Sequence, residues 1–398
     1  MSSPVVIPHR PRHFFSVKNH PLSGVTTPQW IRLMRDHGSH VEIATYFPRL
    51  IFLTIMSLVN TIGAIADSVL YGRAIASQEL NDEPVFILGH PRTGTTHLHN
   101  LLSRDPSFAF ATTFSVGFPS GFLSCRWLAP FMGAIMDDTR PMDNMALSHD
   151  TPQEDEVATN QLSGGASPYM PLMFPKREAL FRRWYSMRDG ASSAEIARWK
   201  ESFLYFLRKT QYAAGGKRKR LLLKSPVHTA RVDILREMFP KAQFVFIHRN
   251  PYEVFQSAVH MADAYYWQCY FQVPSAEDVQ EFILHQGAVL HRAYREDMAA
   301  MRAEERASGE RKKENRSARV AEVRFSDLDV DPVGTLRATY AALGWAEAFE
   351  KVEPAIERYK LSLVDFKKNA FGKRALSSEA EAAVRYRWRA WFEDLGYE

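Results

Sequence analysis

Within five residues, Arg92, Thr93, Thr95 and Thr96 stand around a single glycine, Gly94. A permanent cation with fork geometry, hydroxyl donors and a residue with no side chain suit a loop that wraps an oxyanion. Val85 to Leu88, just before it, is a short continuous apolar run, the pattern of a strand buried on both faces of a parallel sheet. After it, Leu98, Leu101 and Leu102 recur at helical spacing. Strand, tight loop and helix aim free backbone N–H groups, here those of Thr93 to His97, at an anion. The stretch is neither G-x-x-x-x-G-K-[ST], since no lysine precedes the final threonine, nor G-x-G-x-x-G. Taken alone it leaves open some other phosphate-binding turn.

A second arginine is placed in the same way. Phe244 to Ile247 is a strand pattern closed by His248-Arg249-Asn250-Pro251, and Tyr252 to Ala262 reads as helix. Arg249 thus stands at the carboxyl end of a strand, where open α/β sheets bind ligands. Ser257 follows about two turns into the helix. The plainer reading pairs Arg249 with a carboxylate and lets Ser257 cap or pack.

The remaining chain supplies the elements that must hold these groups. Leu221 to Leu223 is a strand ending in Lys224-Ser225-Pro226, Ala230 to Phe239 a helix, and Ala321 to Phe325 a further strand. Strands alternating with helices argue for parallel βαβ units, an α/β fold. Helices are also expected at residues 26–80, Glu195 to Tyr212, Glu281 to Arg306, Asp331 to Leu343 and Glu379 to Phe392. Phe108 to Phe131, rich in aromatics, glycine and proline, reads as an irregular pocket wall, and Ser308 to Arg319 as a charged loop.

A chain of 398 residues, 45% hydrophobic and 24% charged, is globular and long enough for a large core. The net charge of +5 and pI near 9.0 suit an anionic ligand. Nucleic acid is not expected, because the basic clusters at Lys217–Arg220 and Arg311–Lys313 are short and lack interleaved aromatics. Two cysteines, Cys125 and Cys269, make neither a disulfide framework nor a metal-ligand spacing. Pro48 to Leu70 is apolar, interrupted by Thr54, Ser57, Asn60 and Thr61, and at the short edge for a membrane span. A helix packed on the domain or lying in a membrane interface is favoured over a spanning one.

The loop P-R-T-G-T-T after a strand resembles the 5′-phosphosulfate loop of sulfotransferases, which transfer the sulfuryl group of 3′-phosphoadenosine 5′-phosphosulfate (PAPS). Arg249 and Ser257 resemble the family's 3′-phosphate clamp. Val323 to Leu343 resembles its R-Y-E-D-L…D-P-x-x-T-L…L segment, and L-K-S-P-V-H (Leu223 to His228) and T-P-Q-E-D-E (Thr151 to Glu156) resemble motifs of the broad "sulfotransferase family" group. These matches run in family order from about residue 80 to 345. The resemblance implies a P-loop-like parallel sheet flanked by helices, with 81–398 as the sulfotransferase domain; 1–80 reads as an N-terminal helical extension, packed on that domain or in contact with a membrane.

It also implies roles. Arg92 and the Thr93–His97 amides would hold the phosphosulfate, with Lys224 carrying the leaving-group chemistry that an arginine performs poorly. The histidine base of cytosolic relatives is replaced here by Pro226, with His228 nearby in another register. Golgi-type relatives use a glutamate between the two PAPS motifs, and that resemblance implies a carboxylate base among Glu154, Asp155 and Glu156, Glu154 ahead of Glu156, with His149 and His97 behind; burial should raise its pKa. Acids in the first turn are equally what helix capping looks like. Lys373 and Arg374 resemble a basic loop closing over the 3′-phosphate, or are a solvated turn. PAPS is the expected co-substrate and no metal is expected.

The acceptor implied is a hydroxyl, secondarily an amine, of a small or lipophilic molecule. Phe114, Phe118, Phe122, Trp127, Tyr169, Phe174, Tyr265, Tyr266 and Trp267 would wall its pocket. A glycan sulfotransferase, a nucleotide kinase-like protein and a non-catalytic membrane scaffold are the rivals. Residence in the cytoplasm or on a membrane surface is expected, with a single-span Golgi or ER protein as the alternative.

Overall fold

The computed structural model describes residues 10–134, 136–307, 318–364 and 376–398. Five parallel strands form its sheet in the order β2-β3-β1-β4-β5, with β1 Val85–Leu88, β2 Phe108–Ala109, β3 Arg220–Lys224, β4 Gln243–His248 and β5 Val320–Arg324. All of β1 is buried, as a central strand covered by helices on both faces must be. The edge strand β5 alternates buried Ala321 and Val323 with exposed Glu322 and Arg324, because helices cover only one of its faces. Four strands lie where the sequence pattern puts them. Two-residue β2 is too short to leave a pattern, and it falls in the stretch expected to be irregular. That stretch also folds into a helical turn at Thr113–Gly117 and a 3-10 helix at Arg126–Ala134.

Helix ends are set by local chemistry. Ser192 and Glu195 form a capping box at the start of the Ser193–Ala213 helix. Asn250 and Asp331 cap helices that each begin with a proline, at Pro251 and Pro332. The helix Ala346–Ser362 was not expected from the sequence, and the expected C-terminal helix is broken at Trp388 into Ser378–Arg387 and Arg389–Leu395.

The N-terminal helices share the core of the sheet. Helices α1 (Thr27–His37) and α2 (Ile43–Ala76) bury Trp30, Leu33, Leu53 and Ile75 in the same core as Phe86 of β1. Two buried charges fix α2 to the domain. Arg49 donates to the main-chain carbonyls of His13, Ser16, Trp267 and Tyr270. Asp67 pairs with Lys209 at 2.7 Å, and neither side chain is exposed. The C-terminal end returns to the sheet's carboxyl edge, where Trp388 and Trp391 flank His90.

Candidate active site

Helix α3 (Thr95–Leu102) begins directly after β1, with Gly94 at its N-cap in a left-handed conformation, φ 99°. A Cβ at Gly94 would stand 2.3 Å from the ring of Phe325, so glycine is required on both steric and conformational grounds. Arg92 also has positive φ, 77°, an uncommon state for a residue with a side chain and one that turns it back along the loop. Thr95 is buried, and the first-turn amides lack partners within the helix, as at any helix start. The Thr93 hydroxyl does not point into the cradle: it donates to the carbonyl of His90 at 2.8 Å and holds the loop's shape. His97 is half-buried, its ring 6.5 Å from that of Tyr359.

The two anion motifs meet. Arg92 Nε donates to Ser257 Oγ at 3.0 Å, across the adjacent carboxyl ends of β1 and β4. Arg249 stacks over Phe325, the ring that also packs on Gly94. Its guanidinium pairs with Glu253 one turn on, as the plainer reading had it, and stays 19% exposed. Lys373 and Arg374 lie outside the described residues.

The T-P-Q-E-D-E and L-K-S-P-V-H motifs clasp each other. Lys224 Nζ lies 2.7 Å from Glu154 Oε1, Ser225 Oγ accepts from the Glu156 amide at 2.9 Å, and His228 Nε2 lies 2.6 Å from Asp155 Oδ1. Lys224 also donates to Thr96 Oγ1 at 3.4 Å, which ties this clasp to the anion loop.

Of the two glutamates expected as base, the fold separates one from the other. Glu154 lines a cavity of about 420 Å³ and accepts from Tyr169 as well as Lys224. Glu156 is buried away from it, bound by Arg231 at 2.8 Å, Ser167 at 2.7 Å and Trp199 at 3.3 Å. Both its carboxylate oxygens are held by these partners, in an ion pair with neither side chain exposed. His228 is likewise wholly buried against Asp155, outside the cavity lining. The expected rise in the base's pKa is corrected too. Burial alone pushes the Glu154 carboxyl up, but Lys224's charge and hydrogen bond outweigh it and hold the group below the ordinary value. Burial in turn lowers Lys224, against the pull of Glu154.

Arg140 and Asp143 were not singled out from the sequence. Arg140 Nη1 donates to Thr96 Oγ1 at 3.0 Å, and Asp143 bridges the Arg92 and Arg140 guanidinia at 3.0 and 3.4 Å. They sit in the segment M-D-D-T-R-P-M-D, which has no periodicity to reveal a role. A donor set of Arg92, Arg140, Lys224, Thr96 and a helix N-terminus fits a tetrahedral oxyanion.

The cavity wall is apolar and rich in methionine, with Met56, Met132, Met136, Met142 and Met261. Phe118, Tyr169, Tyr265 and Tyr266 line it as expected. Phe114 faces a smaller neighbouring cavity, Phe122, Phe174 and Trp267 belong to the packed core, and Trp127 is exposed.

The model of the sulfotransferase family matches residues 84–350. The omega-hydroxy-beta-dihydromenaquinone-9 sulfotransferases of Mycobacterium bovis and Mycobacterium tuberculosis are each 30% identical over 375 residues, covering 94% of this chain and 90% of theirs. Crystal structures of sulfotransferases from Mycobacterium tuberculosis and Mycobacterium avium share the fold. Their TM-scores are 0.59 and 0.60 at 16% and 17% identity, over 91% and 94% of this chain and 90% and 97% of theirs. A strand–loop–helix anion cradle, a lysine–glutamate pair beside it and the match over residues 84–350 lead to one conclusion: this chain belongs to the sulfotransferase family.

Proposed function

We propose that this sulfotransferase moves a sulfuryl group from PAPS to a hydroxyl on a lipophilic acceptor, with Glu154 as the base. The observation that carries this reading is the position of Glu154: it is the carboxylate on the wall of an apolar cavity, and its partner Lys224 reaches the anion loop.

PAPS, when bound, supplies the sulfuryl group and departs as adenosine 3′,5′-bisphosphate. Arg92, Thr96 and the amides of Gly94 to His97 would hold its phosphosulfate end; Arg249 and Ser257, with Lys373 and Arg374, its 3′-phosphate. Glu154 takes the acceptor's hydroxyl proton as the new O–S bond forms and the S–O bond to the bisphosphate breaks. Lys224 balances charge on the departing oxygen. Ionisation of Glu154 at neutral pH suits a base, and transfer of Lys224 from Glu154 to the donor's oxygens would raise the carboxyl's proton affinity when it is needed. The reaction then rests on positioning and charge stabilisation.

The lipophilic acceptor is supported by the cavity's composition and by the mycobacterial relatives, which are named for an omega-hydroxylated dihydromenaquinone. Incubation with PAPS and a fractionated lipid extract tests the reading. A lipid fraction that gains one sulfate, with bisphosphate released in equal amount, is the expected result. Binding of ATP-Mg²⁺ in preference to adenosine 3′,5′-bisphosphate would overturn it in favour of a kinase-like protein.

A further inference from the structure

Helix α2 is docked on one side and bare on the other. Ile51, Ile55, Leu58, Ile62, Ile65 and Val69 are each more than half exposed. Between Ile43 and Gly72 the charged residues are Arg49 and Asp67, and both are buried against the domain. The outward face therefore carries no charge over about 40 Å of helix. By length and composition α2 could cross a membrane. Its buried anchors forbid that, since Arg49 and the Asp67–Lys209 pair hold the opposite face to the core. What remains is a helix lying flat, its apolar side outward.

A second cavity, of about 250 Å³, opens between this helix and the Arg126–Ala134 segment, with Val59, Gly63, Cys125, Leu128 and Phe131 around it. Gly63 and Gly121 touch backbone to backbone at its floor, where a Cβ on Gly121 would come within 2.9 Å of Gly63. Met56, Phe118 and Met132 line both this cavity and the larger one that holds Glu154. These three apolar side chains stand between the two cavities, and the bare face of α2 reaches the smaller one at Val59, which is more than half exposed. Exposed Arg73 stands in the last turn of α2, and exposed Arg126 and Trp127 open the Arg126–Ala134 segment, a pairing of cation and indole that suits an anionic headgroup layer. A protein partner on this face would seal the passage, whereas a lipid leaflet would fill it.

We propose that α2 lies in one leaflet of a membrane and that the smaller cavity is the passage by which the acceptor's apolar chain enters from that leaflet. The destination of that chain rests on the transfer reading above; the membrane contact does not.

The test uses the whole protein, vesicles of phosphatidylglycerol and phosphatidylcholine, and a pyrene-labelled long-chain alcohol. Wild type floats with the vesicles. Ile55→Glu combined with Ile62→Glu, both surface positions, lowers the vesicle-bound fraction by about tenfold or more with an unchanged melting temperature. Cys125→Trp, or Leu128→Trp at the half-open rim, weakens the alcohol by about tenfold and leaves adenosine 3′,5′-bisphosphate binding unchanged. Flotation equal in wild type and double variant, or a wild type that avoids vesicles and sediments as a dimer broken by those substitutions, overturns the membrane face. Alcohol binding equal in wild type and both tryptophan variants overturns the passage. Neither readout needs sulfate transfer, so intact flotation and alcohol binding without transfer count against the transfer reading alone.

Discussion

Lys224 Nζ lies 2.7 Å from Glu154 Oε1, joining residues 70 positions apart in the chain. The lysine ends β3 and the glutamate stands at the N-cap position of the Asp155–Ser163 helix without capping it through its side chain, so the contact fixes a strand terminus against a helix terminus at the cavity wall. Two neighbouring contacts, Ser225 to the Glu156 amide and His228 to Asp155, lock the register. Lys224 is fully buried while the Glu154 side chain is 20% exposed, so the lysine is held and the carboxylate presented.

The neighbouring glutamate should behave differently. Glu156→Gln leaves Arg231 without its charge partner in a dry site, which costs about 3–5 kcal/mol of stability. Denaturant unfolding measures that loss. Turnover per folded molecule at low temperature should stay within a few-fold of wild type; a variant of full stability that no longer transfers sulfate would return Glu156 to the chemistry.

Arg92 and Asp143 predict opposite shifts in donor affinity. Arg92→Ala removes a charged hydrogen-bond donor and should weaken adenosine 3′,5′-bisphosphate by about 1.5–3 kcal/mol. Asp143 occupies the Arg92 and Arg140 guanidinia that an incoming anion would need. Asp143→Asn should therefore tighten binding by about 0.2–1 kcal/mol, the range of a modest ion pair. Titration calorimetry reads both, and weakening in the Asp143 variant would contradict this placement of the anion.

Much of this was legible in the sequence, for physical reasons. The buried strand Val85–Leu88 and the glycine–threonine loop leave a pattern because backbone geometry restricts which residues fit. Arg249 and Ser257 could be read from their offsets along a strand and a helix. Arg140 and Asp143 could not, since they reach the site from an aperiodic loop and only tertiary contact assigns them. Glu154 stands ahead of Glu156 in the sequence reading, but what parts them was not legible: the two are two residues apart, and the helix start at Asp155 turns one into the cavity and the other into the core. The expected raised pKa failed because sequence cannot show a lysine arriving from a strand 70 residues away.

The pH behaviour follows from these directions. Glu154 is held below its ordinary value, so kcat/KM should show no acid limb from this group above about 4.3. Lys224 is lowered by burial, so an alkaline limb should fall below about 10.4. For stability, burial holds His90 and His99 at about 3, against 6.5 for a free imidazole. The unfolded chain then binds protons that the folded chain refuses. Stability is complete above about pH 6.5 and falls as the pH drops, by up to about 1.4 kcal/mol per unit for each histidine. Denaturant midpoints over a pH series check this; a flat profile down to about pH 4 would contradict it.

Asp67→Asn strands Lys209, whose pKa burial has already lowered to about 8. The predicted cost is about 3–5 kcal/mol, because the ammonium loses its counter-charge inside the protein. Circular dichroism melting measures it. A loss within experimental scatter would mean that α2 is held by its apolar contacts and Arg49 alone.

The most direct measurement is single-turnover sulfate transfer by Glu154→Gln against wild type, with adenosine 3′,5′-bisphosphate affinity determined in parallel. Loss of the base should slow transfer by about 10²- to 10⁴-fold while nucleotide affinity stays within a few-fold. Transfer at the wild-type rate by the glutamine variant would contradict the account at its centre.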